Sequence, residues 1–203
     1  MTDRELPRAS PWYQVYVAVV CAVAVLMLAW VGLPPEAQRA HVAVVSGLVL
    51  LSGFYAQYFT APRSWLSISL AVNVAAYMLF GIATATWSAG LGIALAMLWR
   101  YRSLRQAAFN GAQMVIAVAL AAETWKLLRP PVHTVDLLRD WLPIVVAAGV
   151  RVVVNYSLII VHNRLSQGTP LLLPWSSRQT AFYFASYALM ACMGVLSALL
   201  YQA

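Results

Sequence analysis

The chain has 203 residues, 63% of them hydrophobic and 9% charged, where ordinary soluble domains carry about a quarter charged residues. That composition excludes a soluble globular protein and describes an integral membrane protein. The formal charge of +7 is dispersed over short connections instead of gathering on one soluble face, which argues against nucleic acid as a partner and leaves the lipid bilayer.

Seven apolar segments follow one another at 12–33, 42–60, 65–84, 86–99, 107–128, 141–164 and 179–202. Each is as long, or nearly as long, as the roughly 20 helical residues a hydrocarbon core needs. No segment alternates apolar and polar residues at period two, as a membrane barrel of about ten-residue strands would. The expected fold is an all-α integral membrane protein, a polytopic bundle of about seven transmembrane helices. It forms a single transmembrane domain over 1–203 with no soluble output domain, because the longest polar connections are "RPPVHTVDLLRD" and "NRLSQGTPLLLPWSSR".

The first segment follows Arg4 and Arg8, as a signal peptide would, but its apolar run exceeds the usual 7–15 or so residues and no small-x-small cleavage pattern follows, so it is read as retained. Pro-Pro pairs in "LPPEAQRAH" and "RPPVHTVDLLRD" close the first and fifth segments, since proline removes a donor and clashes with the preceding turn. The third segment carries Asn73 about midway. The fourth, 86–99, is short, and its "SAGLGIALAM" start suggests a kink or a tight junction with the third.

The fifth segment opens beyond a collar of Arg100, Arg102 and Arg105. Helical geometry puts Asn110, Gln113, Met114, Ala117 and Ala121 on one stripe. Small residues let backbones approach, while carboxamides bond to a neighbouring helix. The acceptor expected is the sixth segment, where Arg151, Asn155 and His162 share a face. With the two helices antiparallel, Gln113 and Asn155 reach similar depth and bond directly.

Arg151 falls near the midplane, where a lipid-exposed guanidinium costs about 2.5 kcal/mol or more, so it must face protein, water or a bound anion. Glu123 is expected to pair with Lys126 one turn on and snorkel outward; a Glu123–Arg151 bridge is the alternative, and Asn73 is a second partner for Arg151. Cys21 and Cys192 read as small packing residues. Trp12, Trp65, Trp125, Trp141 and Trp175 lie near segment ends and read as interfacial anchors.

With the N-terminus cytoplasmic, eight arginines (Arg4, Arg8, Arg63, Arg100, Arg102, Arg105, Arg164 and Arg178) lie inside, against Arg39, Lys126, Arg129 and Arg139 outside. This satisfies the positive-inside bias and places the C-terminus outside. No internal repeat supports an inverted-repeat transporter. His41, His133 and His162 are scattered, no serine sits in a nucleophile elbow, and Asp3, Glu5, Glu36, Asp136 and Asp140 fall in tails or loops. No catalytic residue, metal site or cofactor is expected.

The succession "WLSISLAVNVAAYMLFG", "LRQAAFNGAQMVIAVALAAETWKLL" and "VVVNYSLIIVHNRLSQGTPL" resembles the MASE-like membrane sensor modules at the N-termini of many bacterial HD-GYP phosphodiesterases and GGDEF diguanylate cyclases. The matching marks are an FNxAQ-type pattern at Phe109, Asn110, Ala112 and Gln113, and the lone span asparagine Asn155. In that family a further span leads to a cytoplasmic output domain, whereas this chain stops at Ala203, and a glycine-rich turn stands where this chain has "LLRPPVH". Arg151 maps onto no part of the pattern.

The resemblance implies a non-enzymatic sensor or anchoring module of a bacterial inner membrane. It would perceive a membrane-associated signal or pair with a signalling protein or a second copy. The alternative is a small-solute binding or transport protein in which Arg151 recognises an anionic small-molecule ligand.

Overall fold

The computed structural model describes residues 11–55, 68–129, 137–167 and 177–202. The expected connections around 129–140 and 163–178, the arginines at 4, 8 and 63, and the tryptophans at 65 and 175 lie wholly or largely outside them. Among the described residues the chain is all-helical: α1 (Pro11–Val31), a 3₁₀ turn (Glu36–Gln38), α2 (Arg39–Tyr55), α3 (Ser69–Tyr101), α4 (Leu104–Leu128), α5 (Leu137–Gln167) and α6 (Ser177–Gln202). Four stretches, Pro11–Val31, Ser69–Tyr101, Leu104–Leu128 and Asp140–Ser166, are long and apolar enough to cross a membrane.

The helix ends follow local chemistry. Gly32 adopts φ +80° and returns its amide to the Leu28 carbonyl, so the residue after α1 takes the left-handed conformation that glycine adopts without steric cost. Ser103 caps α4, its Oγ accepting from the Gln106 amide at 3.4 Å. α3 and α4 are joined by a tight turn in which Arg102 is left-handed, with φ 52°.

α3 is interrupted at Gly81, whose φ of 79° and ψ of −179° belong to no helix and are open essentially to glycine alone. The junction expected between 84 and 86 therefore falls a few residues earlier. Contacts on its two sides run in opposite registers. After Gly81, Thr84 Oγ1 donates to Gln38 Oε1 at 2.6 Å, Ser88 Oγ donates to the Val42 carbonyl at 3.3 Å, and Gly92 lies against Ser46 and Val49, so 82–101 runs alongside α2 in the same direction. Against α4, Gly90 meets Val115 and Ala94 meets Gly111, an antiparallel pairing. Before Gly81, Ser69 and Met114 flank the same arginine while Tyr77 packs on Trp125 with ring centroids 6.2 Å apart, so 69–80 runs parallel to α4. It also runs parallel to α6, with Ala71 at Gly194 and Phe80 at Tyr201.

α4 is the central helix: Ala117, Val118, Ala119 and Ala121 are wholly buried. On one side it meets α3 in a core including Leu70, Val74, Met114, Val118 and Trp125. On the other it meets α1 and α5 through Val20, Ala24, Phe109, Ala112 and Ile116. α1 is peripheral and turns Val25, Leu26 and Trp30 outward, as a lipid-facing helix does. Trp125 corrects the reading as an interfacial anchor: it is buried between Tyr77 and Arg129, whose guanidinium lies 4.9 Å from the ring centroid.

Candidate functional site

The polar residues of the bundle interior come from helices that are otherwise apolar, and the i, i+4 periodicity aligns them. Ser69, Asn73 and Tyr77 stand one turn apart on α3, so all three share one face. All three are buried, Asn73 completely. Arg151 approaches this face from α5. At 1.5 Å per residue it lies about 21 Å from one end of its helix and about 24 Å from the other, and only 2% of it is exposed.

Its Nη2 is 3.5 Å from Ser69 Oγ and 4.0 Å from Met114 Sδ, both at the long limit of hydrogen bonding. Arg151 Nε has no partner, nor do Asn73 Nδ2, Asn73 Oδ1 and the Tyr77 hydroxyl. Tyr77 and Tyr187 lie within electrostatic reach of the guanidinium, and the Tyr187 hydroxyl donates to that of Tyr156 at 3.3 Å.

One turn further along α5 the carboxamides meet. Gln113 Nε2 donates to Asn155 Oδ1 at 2.7 Å and lies 3.4 Å from the Asn155 carbonyl oxygen. Asn110 does not join them: its Nδ2 donates to the Gln106 carbonyl one turn back in its own helix, at 2.8 Å. His162 belongs to a separate cluster near the Arg102 turn. Its Nε2 is 3.0 Å from the Tyr13 hydroxyl, and its ring stacks on Phe109 at 4.3 Å. Arg105 reaches over the Tyr13 ring beside it. The face shared by Arg151, Asn155 and His162 thus meets three different surroundings: α3, then α4, then α1.

Glu123 pairs with Lys126 at 3.3 Å and so takes the nearer of its two expected partners. Asn73 shares the Arg151 environment without a hydrogen bond, and the guanidinium reaches Ser69 instead. Asp140, assigned to a loop, sits in the first turn of α5, buried and paired with Arg129 at 3.1 Å. The same i, i+4 reading applied outward from Asn73 would have found Ser69 and Tyr77; Tyr187 carries no comparable sequence signal. Among the described residues no three His, Cys, Asp or Glu side chains converge as metal ligands would.

The model of the MASE9 family, a MASE-type family of membrane-associated sensor modules, matches residues 41–203. The match begins at His41, the third residue of α2, and runs through α6, so α1, the 3₁₀ turn and the first two residues of α2 precede it. No curated protein and no solved structure matches the chain. The chain belongs to the MASE9 family.

Proposed function

We propose that this MASE9 chain is a non-enzymatic membrane sensor or anchoring module that perceives a membrane-associated signal and passes it to a signalling partner or to a second copy of itself. One observation carries the reading: the family match spans α2 to α6, the helices whose buried faces hold Asn73, Gln113 and Arg151. A sensor needs an element with two arrangements that a signal can bias, and polar groups inside a lipid-surrounded bundle are where differential contacts carry most weight.

The opposed registers on either side of Gly81 support seven crossings, with 69–80 and 82–101 each belonging to its own. The arginine distribution then supports a cytoplasmic N-terminus and an outer C-terminus. The partner class suggested by the resemblance is a cyclic-dinucleotide synthase or phosphodiesterase.

The test is to fuse a diguanylate cyclase output domain to each terminus in turn and to compare product per molecule, at equal membrane abundance, between the native chain and Arg151→Gln or Asn155→Leu. Output that shifts with these substitutions supports sensing. Output indifferent to all of them in both fusions removes the reading. Small-solute binding is the second reading, favoured by the burial of Arg151 at mid-membrane; the two coincide if the solute is the signal.

A further inference from the structure

The chain has six carboxylates. Glu36 pairs with Arg39, Glu123 with Lys126 and Asp140 with Arg129; Asp3, Glu5 and Asp136 lie outside the described residues. None of the described carboxylates reaches Arg151, and its contacts with Ser69 and Met114 are long and bring no charge. A guanidinium in hydrocarbon surroundings demands an anion, water or a polar cavity.

Beside it stand Asn73, with neither its amide nitrogen nor its oxygen satisfied, and Tyr77, with an unpaired hydroxyl; they are 0% and 3% exposed. More than about nine in ten buried polar groups find a partner, and each one left without costs about 1–3 kcal/mol. Asn73 and Tyr77 on one face of α3, with Arg151 of α5 set against that face and all three carrying unmet hydrogen bonds, describe a site built for something that supplies them.

The unmet groups also define its chemistry. Arg151 Nε, Asn73 Nδ2 and Tyr77 Oη are three donor atoms against the two acceptor atoms Asn73 Oδ1 and Tyr77 Oη, and one of the donors is cationic. The occupant is therefore rich in acceptors. One cation calls for one negative charge, because a phosphate monoester, at about −1.5 to −2, would leave charge uncompensated in a low-dielectric interior. A carboxylate meets both conditions and matches the guanidinium fork. We infer that Arg151, Asn73 and Tyr77 form an intramembrane site for the carboxylate of a monoanionic acid, either a lipid-derived fatty acid or a small water-soluble one. The inference rests on the sensor reading for its purpose, since this acid would be the signal; the site itself stands on the geometry.

The test uses the full chain purified in a neutral maltoside. Decanoate below its micellar concentration and butyrate stand for the two sources; decanol, butyramide and inorganic phosphate serve as controls. One or both carboxylates should raise the thermal unfolding midpoint progressively with the logarithm of concentration while the controls do not, and the effective chain length identifies the source. Arg151→Gln should weaken binding on the order of tenfold or more.

Because Arg151→Gln could unfold the protein, Tyr77→Phe and Asn73→Leu are measured as well. Each removes unpaired polar atoms, so the ligand-free protein should be as stable as the native one or more so, while the carboxylate-induced shift shrinks. A purely structural role predicts the reverse. No shift with either carboxylate, as for a site filled by water alone, overturns the inference, as does an equal shift with the neutral isosteres or an undiminished shift in both Tyr77→Phe and Asn73→Leu. Absence of binding leaves the sensor reading standing. Binding without any effect on the fused output leaves the site standing and removes the sensor.

Discussion

Gln113 on α4 and Asn155 on α5 join two helices through a direct carboxamide bond of 2.7 Å, with Gln113 only 3% exposed. Lipid tails drive no hydrophobic association between helices, so such bonds carry part of the cohesion. Gln113→Leu or Asn155→Leu should each lower stability by about 0.6–2 kcal/mol in thermal unfolding in detergent. The double variant should lose less than the sum, since the pair shares one interaction. Full additivity would show that the two residues act independently.

Gly81 holds a backbone conformation that a Cβ would strain, although open space surrounds the position. Gly81→Ala should therefore cost about 1–3 kcal/mol through backbone strain alone. Gly149, in the regular helix of α5 with equally open space, is the control: Gly149→Ala should be neutral or stabilising by up to about 1 kcal/mol. Equal effects at the two positions would remove the requirement for a break at Gly81.

Gly92 makes a different demand, for space. A Cβ there would stand 2.7 Å from the Ser46 carbonyl oxygen, so Gly92→Ala must separate α2 from 82–101 and should cost about 1–3 kcal/mol. Thermal unfolding in detergent measures the loss.

Glu123 is engaged by Lys126, an exposed partner one turn away, and pairs of this kind contribute little. Glu123→Gln should change stability by less than about 0.5 kcal/mol, and its effect should add to that of Arg151→Leu. Rescue of Arg151→Leu by Glu123→Gln would instead mean that the two charges meet in the working protein.

Topology is checked with reporters at the Arg102–Ser103 turn and after Ala203. The arginine asymmetry predicts cytoplasmic activity for the first and none for the second. Cytoplasmic activity at the second and none at the first would mean that 69–80 and 82–101 do not cross separately.

Much of the bundle was legible because helix geometry is local. Depth along a helix follows from 1.5 Å per residue, so antiparallel packing was enough to bring Gln113 and Asn155 together, and a one-turn spacing was enough to pair Glu123 with Lys126. The candidate site was half legible. Arg151 and Asn73 stood out as polar residues in apolar helices, but Ser69 and Tyr77 are common enough in spans to pass unnoticed until a cation faces them.

Composition and periodicity by themselves determined that the chain is a membrane-embedded helical protein, where its apolar segments lie, and which residues share a helix face, because hydrophobic length and the 3.6-residue turn depend only on neighbours along the chain. Only the tertiary structure decided which helix each face meets. It turned Asn110 back onto Gln106, gave His162 to Tyr13 and Phe109, buried Trp125 against Tyr77, and set Arg151 against Ser69 instead of bonding it to Asn73. The physical reason is that an apolar helix in lipid has no hydrophobic preference among its neighbours. The choice falls to close backbone approach at residues such as Gly90 and Gly111, and to the reversal of register at Gly81, both of which exist only once the helices are packed.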